Sequence, residues 1–387
     1  MTSRPFPPTL ASLTLGLSLL TFACGDDAAD PTDAGLPDTG GADGGLADEG
    51  AADLGMEDAG MPPDGFIVCG VTISPAGLTG FAVLSPSLDA GTEVDLADSL
   101  EFGGIVSCAN LGRTLYVTGG EAAEVRRFQI GDGEPPFTED GAVSFAGEGV
   151  GAGGSIVVVS DTKAYYVDET TLSVVIWNPT TLLIEGSLSL EGLEAPEGEG
   201  VGINGVQQRA GRVVVIAGYG SAVTGNEQRI RVALIDPETD AVTVDETTTC
   251  GGSFTSADGG DGFIYLGAGV RPAVSFRLGL PGTYAPCLVR VDAATGEFDD
   301  AFLRELNALT GVDPTGVVSP GPRPGTMLLT GYDESIEAIP DDAADFEVQQ
   351  AESWRTYLLE DLGGDAPATL LDALPVVTGI TSILNIG

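Results

Sequence analysis

The chain has 387 residues, with 15 basic and 58 acidic side chains, a formal charge of −43 and no histidine. So few cations leave no electrostatic footprint for DNA, RNA or an anionic membrane surface. Without imidazole there is no Ser-His-Asp or Cys-His catalysis, no zinc site built on His and no pH switch of the usual kind near neutrality.

Residues 1–23 read as an export signal: one early charge at Arg4, an apolar run from Leu10 to Phe22, then Ala23-Cys24. The run is too short to span a bilayer as a permanent helix. The junction Leu20-Thr21-Phe22-Ala23-Cys24 resembles a bacterial lipobox, although Thr21 and Phe22 depart from the preferred Leu and small residue. The resemblance implies that Cys24 is lipidated and becomes the first mature residue, which makes a membrane the first partner. An ordinary secretory signal is the alternative. Either one places the chain outside the cytoplasm, at the outer membrane or cell surface or facing the periplasm. Residues 24–65 follow as a stalk whose Asp, Gly, Ala and Pro tract carries twelve acidic side chains and no basic one. Such a composition cannot bury enough apolar area to offset its ordering entropy, so a disordered spacer about 35 Å or more in length is expected. Tethers of this kind resemble those of myxobacterial surface lipoproteins.

From residue 66 to 387, fourteen basic side chains face 46 acidic ones. Short β-branched and aromatic runs bounded by Gly, Pro, Asp and Asn dominate, as in 156–160, 213–217 and 263–267, while long amphipathic helical patterns are nearly absent. The pattern predicts an all-β domain. The runs recur in a fixed order. A glycine opens a first strand at Gly104, Gly154, Gly202, Gly252, Gly316 and Gly379, at steps of 50, 48, 50, 64 and 63 residues. About eleven residues after each of the first five comes a more apolar second strand, such as Leu115-Tyr116-Val117-Thr118-Gly119. A third strand ends in a turn signal, as in Val175-Ile176-Trp177-Asn178-Pro179, and a less regular fourth follows. Four strands at a period near 50 residues are the signature of a β-propeller blade. Phe66-Ile67-Val68-Cys69-Gly70 has the form of a second strand with no first strand before it, and Gly379 to Ile386 that of a first strand with no second after it. Together they predict six blades, the C-terminal strand completing the N-terminal blade and removing an open edge. A seventh blade, formed by splitting one of the longer steps, is the alternative.

Leu115-Tyr116-Val117-Thr118-Gly119 and Ile230-Arg231-Val232-Ala233-Leu234-Ile235-Asp236-Pro237-Glu238-Thr239 resemble the two halves of the YVTN-type extracytoplasmic propeller repeat. The resemblance covers residues 66–387 and implies a fold rather than an activity. A narrower one rests on a single blade: Ser160-Asp161-Thr162-Lys163-Ala164-Tyr165-Tyr166 followed by Val175-Ile176-Trp177-Asn178-Pro179 is similar to the MxcI-type lipoproteins associated with uptake of the siderophore myxochelin. It implies a role beside iron uptake.

In a propeller the first strands line a central channel, and the loops between second and third strands share one face with the loops entering the channel. The longer steps come from second-to-third loops at 268–286 and 332–353, with a shorter one at 218–228, so three successive blades enlarge the same face. Loops that long are uncommon unless they bind something. They bring Arg271, Arg277 and Tyr284, with Tyr219 in the shorter loop and Tyr332 and Trp354 flanking the last. Arginine beside aromatic faces suits a planar, anionic ligand, and a ferric catecholate qualifies. The bland alternative is that these arginines pair with carboxylates while the aromatics cover loop cores. Channel positions give a second set, Asn110, Asn204 and Asp258, whose oxygens suit Ca²⁺. Lactonase-like six-bladed enzymes use ligands of that kind, so a Ca²⁺-dependent hydrolase or lyase stands as the alternative. The leading expectation is a non-enzymatic monomer that needs no cofactor and binds a small anionic ligand or a surface protein. Beyond Cys24, four cysteines remain, an even set in an oxidising compartment. Cys250 with Cys287 is favoured among three connectivities, since both lie on the loop-rich face of one blade, and Cys69 with Cys108 follows by elimination.

Overall fold

The computed structural model describes residues 66–379, apart from 75–76, 86–95, 97, 105, 121, 196, 198–199, 222–224 and 341. The export signal, the stalk, Cys24 and the strand expected after Gly379 lie outside the described residues. Alternation of apolar and polar residues over short runs leaves each segment one or two faces to bury, and the chain answers with six antiparallel sheets. The first has three strands, β1 (Phe66–Ser74), β2 (Gly77–Ser85) and β3 (Leu100–Gly103), with β1 at its edge. The second holds β4 (Ser107–Leu111), β5 (Thr114–Thr118), β6 (Glu124–Ile130) and β7 (Phe137–Ser144); the third holds β8 (Ser155–Ser160), β9 (Lys163–Asp168), β10 (Ser173–Asn178) and β11 (Leu183–Ser189). In the fourth are β12 (Gly200–Arg209), β13 (Arg212–Ser221), β14 (Gly225–Ile235) and β15 (Val242–Thr247). The fifth comprises β16 (Ser253–Asp258), β17 (Phe263–Ala268), β18 (Cys287–Asp292) and β19 (Arg304–Glu305), and the sixth β20 (Thr315–Pro320), β21 (Met327–Tyr332), β22 (Trp354–Leu359) and β23 (Thr369–Leu370). Within each sheet spatial order follows chain order, a simple meander.

Side chains alternate across a strand, so one strand can serve two interfaces. Val213 and Val215 of β13 pack with Tyr165 and Val174 of the third sheet, while Val214 and Ile216 pack with Ile264, Leu266 and Val289 of the fifth. Tyr166 turns the other way from Tyr165, onto Phe145 and Trp177 between the second and third sheets. The second to fifth sheets are thus each sandwiched by their chain neighbours, and the strands β4, β8, β12, β16 and β20 follow one another side by side. This radial series of meanders with adjacent first strands is the architecture of a β-propeller. Polar side chains stitch the inner strands: Ser107 Oγ accepts the Ile156 N–H, Asn204 Nδ2 donates to the Ser253 carbonyl, and Gln207 Oε1 accepts the Ser256 hydroxyl at 2.6 Å.

Close packing explains four of the strand-opening glycines, Gly154, Gly252, Gly316 and Gly379, whereas Gly104 stands in open space at φ 79° and Gly202 meets nothing nearer than 3.8 Å. At Gly154 an added Cβ would meet the Tyr166 ring at 2.5 Å. The Gly154 N–H donates to the Tyr166 hydroxyl, which itself donates to the Gly151 carbonyl. Both expected disulfides are formed. Cys69–Cys108 joins the first sheet to the second, and Cys250–Cys287 ties the segment entering β16 to β18 of the same sheet. Each contributes about 2–4 kcal/mol by restricting the unfolded chain.

The turn signals build one repeated device. In turns 178–182, 236–240 and 292–296 the first side chain accepts the N–H groups two and three residues on: Thr180 and Thr181, Glu238 and Thr239, Ala294 and Thr295. The fifth residue returns its N–H to the first carbonyl at 2.8 Å in all three. It sits in left-handed backbone, at φ 57° for Leu182, 58° for Asp240 and 79° for Gly296. The sheet before then grips the turn. Arg127 Nη1 donates to the carbonyls of Pro179 and Thr180, with the Tyr116 hydroxyl also on Pro179. Lys163 Nζ donates to the Pro237 carbonyl at 2.6 Å and pairs with Asp240, which also accepts the Tyr165 hydroxyl. Arg212 donates to the Ala293 carbonyl, and Arg304 to carbonyls of Asp361, Leu362 and Ala366 in the sixth sheet.

Two of these turns, led by Asp236 and Asp292, titrate. The Asp236 carboxyl lies below the ordinary carboxylate range through its hydrogen bond from Arg212 and the Glu238 N–H, and Asp292 through the N–H groups of Thr295 and Ala294. A carboxyl depressed in the folded state stabilises above its unfolded pKa, about pH 4, and loses that contribution as pH falls through the folded value. Asp292→Asn keeps an acceptor but has no charge to titrate. We expect its melting temperature to fall less than that of the unaltered protein between about pH 5 and about pH 3, as followed by circular dichroism; equal falls would show that the turn carboxylate does not contribute.

Candidate functional site

The two long second-to-third loops are not open loops. Each carries a helix, α1 (Val270–Arg277) in the fifth sheet and α3 (Asp345–Gln350) in the sixth, while α2 (Leu306–Thr310) leads into β20. The sequence pattern missed them because six to eight residues are too few for a 3.6-residue period to register, although Asp345 and Glu347 in the first turn of α3 are a helix-start signal. The helices pack together over Val270, Val274, Tyr332, Val348 and Trp354. Trp354 and Tyr332 meet edge to face at 5.3 Å, and Trp354 Nε1 donates to the Val348 carbonyl at 3.0 Å. Val377 exchanges backbone hydrogen bonds with Trp354, and the Gly379 N–H donates to the Gln349 carbonyl.

The residues expected to hold a ligand are thereby distributed. Tyr332 and Trp354 are fully within this helical core and present no face to solvent. Tyr219 is buried between the third and fourth sheets, its hydroxyl donating to the Leu193 carbonyl and its ring under Arg229 and Arg231. Burial pushes the Tyr219 hydroxyl up to about 12. Tyr284 is half-buried in the segment after α1. Arg277 Nη2 meets Glu334 at 2.7 Å and its Nε lies 3.8 Å from Asp313; Arg271, 71% exposed, lies 3.8 Å from Asp345. Burial raises the Asp313 carboxyl, against the pull of Arg277 and of the Asn307 amide, and Glu334 adds to the rise. The two arginines and the Tyr332–Trp354 pair do share a platform, but the charges are paired and the rings covered.

The three oxygen donors considered for Ca²⁺ do not share one level, since Asn204 stands apart from Asp258 and Asn110, which lie at the hairpin ends of their strands. Asn204 lies level with Ser253, to whose carbonyl it donates. Asp258 is five residues further along β16, about 16 Å at the strand rise, and accepts the Gly260 N–H in its own turn. Asn110 sits beside the hairpin joining β4 to β5. Among the described residues no three His, Cys, Asp or Glu side chains converge in a way that would hold a metal ion.

What the sequence reading did not single out is the outer surface of the platform. Leu280, Ile336 and Phe346 are 41%, 44% and 56% exposed, and all three belong to the helix-bearing insertions.

Neither a protein-family model nor a curated protein sequence matches the chain. Among solved structures it is similar to the WD40 domain of Toxoplasma gondii coronin, at 11% identity over 82% of this chain and 71% of that one, with a TM-score of 0.42. A Lactobacillus plantarum protein is similar at 10% identity over 78% of each chain, with a TM-score of 0.43. A Bacteroides uniformis protein provisionally described as a 6-phosphogluconolactonase is similar at 13% identity over 63% of this chain and 69% of that one, with a TM-score of 0.40. Scores below 0.5 carry no argument about activity, and the architecture rests on the strand order described above.

Trp354 holds β22, α3 and the segment reaching Gly379 at once. Trp354→Ala is expected to cost about 3–5 kcal/mol in urea unfolding, a loss that a ring standing in an open ligand loop would not produce.

Proposed function

We propose that the protein is a non-enzymatic binding module: a six-bladed propeller held outside the cytoplasm by a lipid at Cys24, with the α1 and α3 platform as its working face. The observation that carries this reading is the platform itself. Two neighbouring sheets each insert a helix at the same place, and the helices pack as one unit over a shared core. A sheet needs no such insertion to pack against its neighbours, so the platform adds surface beyond what the stacking of sheets requires. The two disulfides suit an oxidising compartment, and the lipobox resemblance of residues 20–24 supplies the anchor.

Ring closure by residues 379–386 belongs to this reading. β1 stands at the edge of a three-stranded sheet where the other five have four strands. Eight extended residues span about 26 Å, close to the length of a nine-residue strand such as β1. The siderophore reading rests on the resemblance of residues 160–179. There Lys163 and Tyr165 grip the next turn and Trp177 is buried, so a partner is to be sought on the platform.

Cys24→Ser should release the protein from the membrane fraction and end incorporation of labelled palmitate; label retained by the variant would refute the anchor. Removing the last nine residues should make urea unfolding broader and shift it to lower denaturant. A truncated chain that unfolds as sharply, at the same midpoint, rules out the closure.

A further inference from the structure

We infer that the outer surface of the platform docks a protein partner whose contact patch is apolar and flanked by lysine or arginine side chains. This deepens the binding-module reading and rests on it. Arg271 and Arg277 are six residues apart on α1, about 9 Å along its axis, and their ion pairs fix the neighbours. Arg271 places Asp345 at one end of α1, with exposed Phe346 next in the chain; Arg277 places Glu334 at the other, with exposed Ile336 two residues on. Leu280 follows Arg277 by three residues. Phe346 therefore stands toward the Arg271 end of α1, and Ile336 and Leu280 toward the Arg277 end, so three large exposed apolar side chains border one helix; exposed apolar surface rimmed by polar groups marks interaction sites.

Charge selects the occupant. Glu337, Asp342, Glu347 and Glu352 are exposed in the same insertion, while the two arginines are already paired. An anionic ligand would meet this field at a cost, and so would an anionic membrane surface. A second copy, carrying the same carboxylates in a chain of net charge −43, is repelled, as is the acidic stalk. A basic, apolar protein surface satisfies both features: its apolar side chains cover Phe346, Ile336 and Leu280, and its cations meet the surrounding carboxylates.

The test uses the full mature chain and a synthetic amphipathic helix of about 18 leucine and lysine residues, long enough to present one apolar stripe. Controls are an oligolysine of equal charge and the same helix with glutamate for lysine. We expect the leucine-lysine helix to bind, the glutamate helix not to bind, and the double variant Ile336→Ser/Phe346→Ser to bind about tenfold more weakly than the unaltered protein. Both side chains are exposed, so the variant should melt at the parent temperature. No binding of the leucine-lysine helix, equal binding of oligolysine, or full binding by the double variant would each overturn the proposal, the last two by reducing it to diffuse attraction. Concentration-dependent sedimentation abolished by the double variant would also overturn it, by identifying a second copy as the occupant. None of these outcomes touches the palmitate label on Cys24, so the surface and the anchor fail separately.

Discussion

The second to fifth sheets each hold the third-to-fourth turn of the sheet that follows, and the rest of the structure depends on this grip. Arg127 with Tyr116, Lys163 with Tyr165, then Arg212 and Arg304 reach across four successive junctions to backbone carbonyls of the next sheet. Such charge-assisted bonds contribute on the order of 1.5–3 kcal/mol each. The apolar interfaces they border are larger contributors: a buried Tyr, Trp, Leu or Val stabilises by about 1.5–3 kcal/mol, and every interface holds many. The hydrophobic terms therefore drive the stacking, while the grips set the angle at which one sheet meets the next. Apolar faces alone tolerate sliding; a lysine on one particular carbonyl does not.

This use of cations reshapes the meaning of the chain's acidity. All fourteen basic side chains of residues 66–387 have a carboxylate or carbonyl partner, from Arg113 with Asp132 to Arg355 with Asp333. Arg290 shows how fully they are absorbed: it pairs with Asp299 and lies over the rings of Phe263 and Phe302 at 4.0 and 4.6 Å. An arginine on the enlarged face is thus not a free positive charge in a negative field. Arg277 and Arg271 bind the two insertions to each other, and the field left over is negative.

The fold was legible because propeller strands report themselves in local chemistry. Gly154 precedes β8 since a side chain there would strike Tyr166; Asn178, Asp236 and Asp292 mark turns because their side chains cap backbone N–H groups; and alternation fixed which valines face which neighbour. The cysteine pairing followed from the same map, since strand order brings Cys250 and Cys287 to one sheet. The site was legible only as a location. Position in a long loop does not say whether a side chain looks outward, and Trp354, Tyr332 and Tyr219, chosen for their rings, are the groups that the core takes first. Phe346, which does look outward, sits in a helix too short to show a period, beside a valine that is buried two positions later. Depth along a strand was equally hidden: Asn204 stands level with Ser253 at the start of β16, while Asp258 and Asn110 lie at the hairpin ends of their strands.

The platform is not an appendage to the ring. Trp354 begins β22, receives α3 through its indole N–H, and pairs its backbone with Val377, two residues before Gly379 binds the Gln349 carbonyl. A Cβ at Gly379 would meet the indole at 2.6 Å, so the chain passes flat against that ring on its way out of the described structure. The helix that carries Phe346 therefore also holds Gly379 through the Gln349 carbonyl. Whatever orders α3 also orders the segment from Val377 to Gly379, and whatever frays that segment loosens α3. A binding face placed there gains its rigidity from the ring, which a face built on α1 alone, with no such tether, would lack.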